Sequence, residues 1–155
     1  MSDGYEWWCE SPDDLQRLGH ALGALQPMGV CIALLGDLGA GKTTFTQGLG
    51  LALGVSEEVT SPTFALMVEY DAPCPLVHVD AYRLAPGESE GIGLEETLEA
   101  WPGVAVVEWA DLVLSDLPES CIFVRISIHD EGRLVEAWSA VGALDSWLRR
   151  WKASL

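Results

Sequence analysis

One stretch constrains this chain more than any other: Gly36-Asp37-Leu38-Gly39-Ala40-Gly41-Lys42-Thr43. It fits the pattern G-x-x-x-x-G-K-[ST]. An unbroken apolar run, residues 30–35, precedes it, and Phe45, Leu49 and Leu53 follow at helical spacing. A chance match, from the chain's own residue fractions, runs at roughly 0.2% before the strand and helix are demanded. The glycines let the backbone curl until successive N–H groups converge. That nest and the helix N-terminus together favour a polyphosphate anion. Lys42 is placed to reach the β- and γ-phosphates, and the Thr43 hydroxyl to ligate Mg²⁺. Gly36, Asp37, Leu38, Gly39, Ala40 and Gly41, with Thr44 just inside the helix, are the other candidate nucleotide contacts of the loop.

A strand–loop–helix unit of this kind belongs in an α/β fold, and the rest of the chain agrees. Residues 4–9 predict an edge strand. Ser11 then reads as an N-cap, with Pro12 at the first helical position and Leu15, Leu18, Leu22 and Leu25 on one apolar face. Pro27 and Gly29 end that helix. The loop's own helix spans residues 42–53 and stops at Gly54. Residues 64–70, 76–79 and 104–107 predict further strands. Residues 88–99 read as part loop and part short helix, with a solvated acidic face. Residues 122–128 and 133–138, split by Asp130-Glu131-Gly132, predict a hairpin. Leu144, Trp147, Leu148 and Trp151 predict a closing amphipathic helix with both tryptophans in the core. The expected architecture is a P-loop NTPase-like three-layer sandwich, its central sheet mainly parallel with antiparallel edge strands, in one domain over residues 1–155.

Charge narrows the function. Acids outnumber bases 24 to 8, a formal net charge of −16, and only Lys42 and Lys152 are lysines. Sequence-independent grip on a phosphate backbone needs rows of Lys and Arg, so the charge argues against any long grip of that kind on RNA or DNA. An anionic membrane surface is disfavoured equally. The four cysteines are scattered without a CxxC pair, which argues against a zinc site, and Cys31 reads as a small core residue. With no signal-peptide pattern and no long apolar span, the expected location is the cytoplasm, with reduced thiols.

In open α/β sheets, ligands bind beyond the carboxyl ends of the strands. Two further strands end there in acids: Leu76-Val77-His78-Val79 in Asp80, and residues 104–107 in Glu108. Such carboxylates can hold Mg²⁺ or orient an attacking water. Asp80, Glu108 and Lys42 are therefore the candidate catalytic residues, and Thr43 and Glu108 the candidate metal ligands. His78 reads first as a hydrogen-bonded core histidine. Tyr82 and Arg83 follow on the exit loop, Arg83 as a partner for a phosphate or an acid. Thr60-Ser61-Pro62-Thr63-Phe64 occupies the place where nucleotide switches carry a γ-phosphate-ordered segment, or forms an ordinary turn. Trp109 either walls the nucleotide pocket or packs under the sheet.

The phosphate loop, then Ser61-Pro62-Thr63-Phe64, then His78-Val79-Asp80-Ala81-Tyr82-Arg83, then Glu108-Trp109, in that order, resemble the TsaE family (formerly YjeE) over about residues 10–135. The resemblance implies an ATP- and Mg²⁺-binding protein that hydrolyses ATP slowly. It implies action on the TsaB–TsaD heterodimer, which transfers a threonylcarbamoyl group to the adenosine beside the anticodon of tRNAs reading codons that start with A. The ATPase there permits repeated rounds and is not part of the transfer chemistry; tRNA is met only through the partners. The resemblance also implies Mg²⁺ roles for Thr43 and Glu108, a hydrolytic role for Asp80, and nucleotide contacts near Ser11 and Arg133. Ala110 departs from the proline that many relatives carry after Glu-Trp. The rivals are a GTPase, which lacks its Asn-Lys-x-Asp element here, a small-molecule kinase, which lacks an Arg-rich lid, and a nucleotide-gated regulatory binding module.

Overall fold

The computed structural model describes residues 4–60, 66–84 and 87–155. Seven strands form one sheet: β1 (Tyr5–Cys9), β2 (Cys31–Leu35), β3 (Met67–Tyr70), β4 (Leu76–Asp80), β5 (Val104–Glu108), β6 (Cys121–His129) and β7 (Gly132–Trp138). Their order is β1-β7-β6-β2-β5-β4-β3. The inner four, β6-β2-β5-β4, are parallel, and β7, β1 and β3 add antiparallel edges. The apolar runs of β2 and β5, and of β4 but for His78, are the signature of strands covered on both faces. Every residue of β4 and β5 is buried.

The period-2 alternation of these strands sorts side chains into two cores. Ile32, Leu34, Val106 and Val124 face α1 (Pro12–Ala24), α2 (Lys42–Leu53) and α5 (Asp145–Ala153). Cys31, Ala33, Val77 and Val107 face the other way, onto Leu94 and Leu98 of α4 (Leu94–Ala100). The result is the expected three layers. All four cysteines are buried and free of disulfides.

Ser11 caps α1 as its sequence context predicts, accepting a hydrogen bond at Oγ from the Asp14 N–H at 3.2 Å, with Pro12 in the first turn. Such a cap contributes about 1 kcal/mol. The apolar face of α1 buries Leu15, Leu18 and Leu22, each worth about 1.5–3 kcal/mol against exposure. α2 begins and ends where its sequence predicts, between Gly41 and Gly54.

Three glycines inside α1 and α2 set how closely these helices pack. A Cβ on Gly19 would lie 2.1 Å from the Phe45 carbonyl oxygen, one on Gly23 2.6 Å from that of Leu49, and one on Gly48 1.9 Å from that of Gln16. Helix propensity alone disfavours glycine at such positions by about 1 kcal/mol each, so its presence here reports backbone contact. Trp151 on α5 closes this core. It is fully buried, its ring packs 4.2 Å from Trp7 and 6.0 Å from Phe45, and its indole N–H donates to the Leu18 carbonyl at 3.0 Å. Trp147, also expected in the core, is only half-buried, with the Arg150 guanidinium over its ring.

Residues 88–99 divide into α3 (Glu88–Gly91) and α4, with most of their acids exposed and Leu94 and Leu98 inward. The strand expected from residue 64 is present as β3, while residues 61–65, including the Ser61-Pro62-Thr63-Phe64 motif, lie outside the described residues. So does the Arg83 side chain. Among the described residues, no helix is long and apolar enough to cross a membrane.

Candidate nucleotide-binding site

Because β4, β5 and β2 run parallel and side by side, their carboxyl ends open on one edge. The register pairs Asp80 with Glu108 and Leu34 with Glu108, so both acids stand next to the loop that leaves β2. Together they line a cleft of about 420 Å³ with Leu38, Gly39, Ala40, Gly41, Lys42, Thr43, Thr44, Tyr82 and Trp109. Volumes of this order suit a small ligand.

The loop is shaped from below by α1. Gly41 has φ +110°, a left-handed conformation open to glycine and costly for other residues, and a Cβ there would strike Leu15 Cδ2 at 2.3 Å. The crossing at Gly19, Gly23 and Gly48 thus presses α1 against the underside of the phosphate loop.

Lys42 is 6% exposed. Its Nζ donates to the Gly36 carbonyl and, at 3.1 Å, to the Asp37 carbonyl. The ammonium also lies 4.2 Å from the centre of the Trp109 ring, which in turn packs 4.9 Å from Tyr82. Burial pushes the Lys42 pKa below its ordinary value, and the negative charges of Glu108, Asp37, Asp80 and Asp111 oppose that shift. The side chain is folded back onto its own loop, held by groups that an incoming phosphate would replace.

Trp109 occupies a left-handed conformation, φ +57°. For a bulky residue this costs roughly 1–2 kcal/mol, and such strain clusters at functional sites. The ring lines the cleft and also packs against the second core, so both readings of Trp109 describe part of its surroundings.

Glu108 is 4% exposed and Asp80 8%. Asp80 Oδ1 accepts from the Tyr82 N–H at 3.0 Å and caps the short turn Ala81–Arg83. Glu108 Oε2 lies 2.5 Å from His78 Nε2, and His78 is fully buried. His78 is therefore the hydrogen-bonded core histidine the sequence suggested, but its partner is the candidate metal ligand. His78, Asp80 and Glu108 point to the same face because their strand positions share parity; only the adjacency of β4 and β5 makes that pairing visible.

The remaining candidates border the cleft. Gly36 and Asp37 give their carbonyls to Lys42 and line a neighbouring cleft of about 390 Å³ on the other side of Trp109, with Asp111 and Arg125. Ser11 and Arg133 meet in a third, of about 250 Å³, with Cys9, Leu15, Gly39, Gly41 and Thr44. Ser11 is engaged in capping α1 there. Arg133 bonds the loop itself: Nε to the Ala40 carbonyl at 3.0 Å, an amino group to that of Gly39 at 3.3 Å, and the other to Gly132 at 2.9 Å. This clasp is not legible from Arg133's place in the sequence, since it depends on β7 lying two strands from β2.

These residues fit magnesium bound with a nucleotide. Among the described residues no group of three or more His, Cys, Asp or Glu side chains is gathered to hold a metal ion alone. One hydroxyl at Thr43 and one carboxylate at Glu108 leave most of the coordination to phosphate oxygens and water, the usual arrangement for Mg²⁺ on a nucleotide.

Comparison with known proteins gives the family. Residues 9–135 match the family described as threonylcarbamoyl adenosine biosynthesis protein TsaE. The chain is 42% identical over 123 residues to the tRNA threonylcarbamoyladenosine biosynthesis protein TsaE of Treponema pallidum, covering 79% of this chain and 90% of that one. It is 38% identical over 138 residues to the protein of the same name from Bacillus subtilis, covering 88% and 86%. The crystal structure of Bacillus subtilis YdiB superposes with a TM-score of 0.84 at 30% identity, over 99% of this chain and 97% of that one.

Proposed function

The chain belongs to the TsaE family, with the role in tRNA threonylcarbamoyladenosine biosynthesis that membership carries, and on that footing we propose that it is the pathway's Mg²⁺-dependent ATPase. In this reading it turns ATP over slowly in the cytoplasm and acts on the TsaB–TsaD heterodimer to permit repeated rounds of modification. The observation that carries the reading is the single cleft in which Lys42, Thr43, Asp80 and Glu108 meet at the end of a glycine-rich loop.

Lys42 and the loop amides would hold the phosphates, releasing the Gly36 and Asp37 carbonyls. Thr43 and Glu108 would hold Mg²⁺, which supplies neutralisation of the charge that develops on the phosphate oxygens. Asp80, neighbouring Glu108 in the register, would orient the attacking water. Leu38 and Tyr82, 70% and 54% exposed on the cleft's rim, favour a partner seated over the nucleotide. The net charge of −16 favours tRNA being held by that partner.

The test is ATP turnover with and without TsaB–TsaD, alongside tRNA modification over many cycles. Slow turnover alone, faster turnover with the heterodimer, and loss of both turnover and multi-cycle modification in Asp80→Ala are expected. Parental turnover in Asp80→Ala would refute the role of that acid. Multi-cycle modification that proceeds equally without this protein would refute the pathway role proposed for it.

A further inference from the structure

A histidine in the middle of a buried strand needs a reason. β4 is buried throughout, and His78 lies between Val77 and Val79, opposite Val106 on β5. Its Nε2 meets Glu108 Oε2 at 2.5 Å, yet its Nδ1 is buried and has no hydrogen-bond partner among the described residues. A histidine retained for packing or for a polar network would satisfy both nitrogens, and an apolar residue of similar volume would avoid the penalty of the unpaired one. The position carries one useful contact, and that contact is with Glu108.

With the carboxylate oxygen as acceptor, the facing ring nitrogen is the donor, which places the hydrogen on Nε2. The pair runs diagonally between neighbouring parallel strands, from β4 to the residue that ends β5, so both backbones are fixed by the sheet. Among the described residues the second oxygen of Glu108 has no hydrogen bond. Glu108 also lines the phosphate cleft.

We propose that His78 is a positioning residue: it holds one oxygen of Glu108 against the floor of the cleft and so leaves the other as the oxygen available to a nucleotide-bound cation. This rests on the reading of Glu108 as a Mg²⁺ ligand given above. Metal-ligating side chains are commonly oriented by such outer partners, whose loss typically weakens metal affinity by roughly 10–100-fold.

The experiment is calorimetric titration of ATP binding over a range of Mg²⁺ concentrations and in EDTA, with no turnover measured. The variants are His78→Leu, which removes the donor at similar volume, and His78→Gln, whose amide N–H can reach the same oxygen. His78→Leu is expected to raise the half-saturating Mg²⁺ roughly 10–100-fold while its affinity for ATP in EDTA stays parental. His78→Gln is expected to recover most of that loss. Should His78→Leu not fold, His78→Asn, whose shorter amide falls short of Glu108, carries the same comparison with His78→Gln. A folded His78→Leu with parental Mg²⁺ dependence overturns the proposal, as does a His78→Gln no better than His78→Leu. Glu108→Ala separates the two levels. If it too keeps the parental Mg²⁺ dependence, the assignment of Glu108 to the metal fails; if it loses that dependence and His78→Leu does not, only the positioning role fails.

Discussion

Gly48→Ala tests whether backbone contact between α1 and α2 is what holds the phosphate loop in shape. The added Cβ would stand 1.9 Å from the Gln16 carbonyl oxygen, 2.8 Å from its carbon and 3.1 Å from the Gln16 Cα. All three are backbone atoms, so no rotamer change relieves the clash. The nearest contact is about 1.5 Å short of ordinary van der Waals distance, and the helices must part by a comparable amount. Overpacking of this kind costs about 1–3 kcal/mol, here about 2–3 because only backbone can give way, and it works against a gain of about 1 kcal/mol from alanine's better helix propensity. A net loss of roughly 1–2 kcal/mol corresponds to a fall in Tm of roughly 2–8 °C for a domain of this size. Parting the helices also draws Leu15 from beneath Gly41, so ATP binding should weaken with the fold. Thermal unfolding of Gly48→Ala beside Gly91→Ala is the assay, because a Cβ on Gly91 meets nothing within 4 Å. Gly91→Ala should unfold at the parental temperature or slightly above. If Gly48→Ala does the same, the close crossing is not what that glycine is for, and the argument from Leu15 to the loop falls with it.

Arg133→Ala removes the clasp on Gly39 and Ala40 and should weaken ATP binding by roughly 5–30-fold, the equivalent of about 1–2 kcal/mol of lost loop order, with a smaller effect on Tm; parental affinity by calorimetry would contradict the clasp. For Lys42 the sign follows from its depressed pKa in the free protein. Between that lowered value and the ordinary 10.5, the free side chain is partly neutral, and phosphates favour its charged form. ATP binding at alkaline pH should therefore take up a fraction of a proton, read from titrations in buffers of different ionisation enthalpy. The unfolded chain binds more protons than the folded one in the same window, so this group makes stability rise with pH there. Lys42→Ala should lose ATP binding, and a Lys42→Ala protein that binds ATP with parental affinity would refute the loop assignment.

Much of this was legible in the sequence because it depends on local patterns. The phosphate loop, the ends of α2 at Gly41 and Gly54, the Ser11 cap and the hairpin of β6 and β7 all depend on residues near one another in the chain. The convergence of Asp80 and Glu108 followed from a general rule about where parallel strands present their ends. What was hidden depends on neighbours distant in sequence. Gly19, Gly23 and Gly48 carry no such local signal, since the carbonyls they make room for belong to the facing helix. The partner of His78 required knowing that β4 lies beside β5. Trp147 matched the helical spacing of Trp151 and packs against the same core, yet only Trp151 is fully buried.

The clasp from Arg133 has a consequence for how the protein comes into being. A loop encoded by residues 36–43 is completed by a side chain ninety positions downstream, on the last strand to be made. During synthesis, chains build domains from the amino end, and most of this one must emerge from the ribosome before the guanidinium can reach Gly39 and Ala40. A nascent chain lacking that strand would carry the glycine-rich turn without its tether, so the nucleotide capture proposed above would reach full strength late, in the newly finished molecule, with its precursors holding nucleotide more weakly.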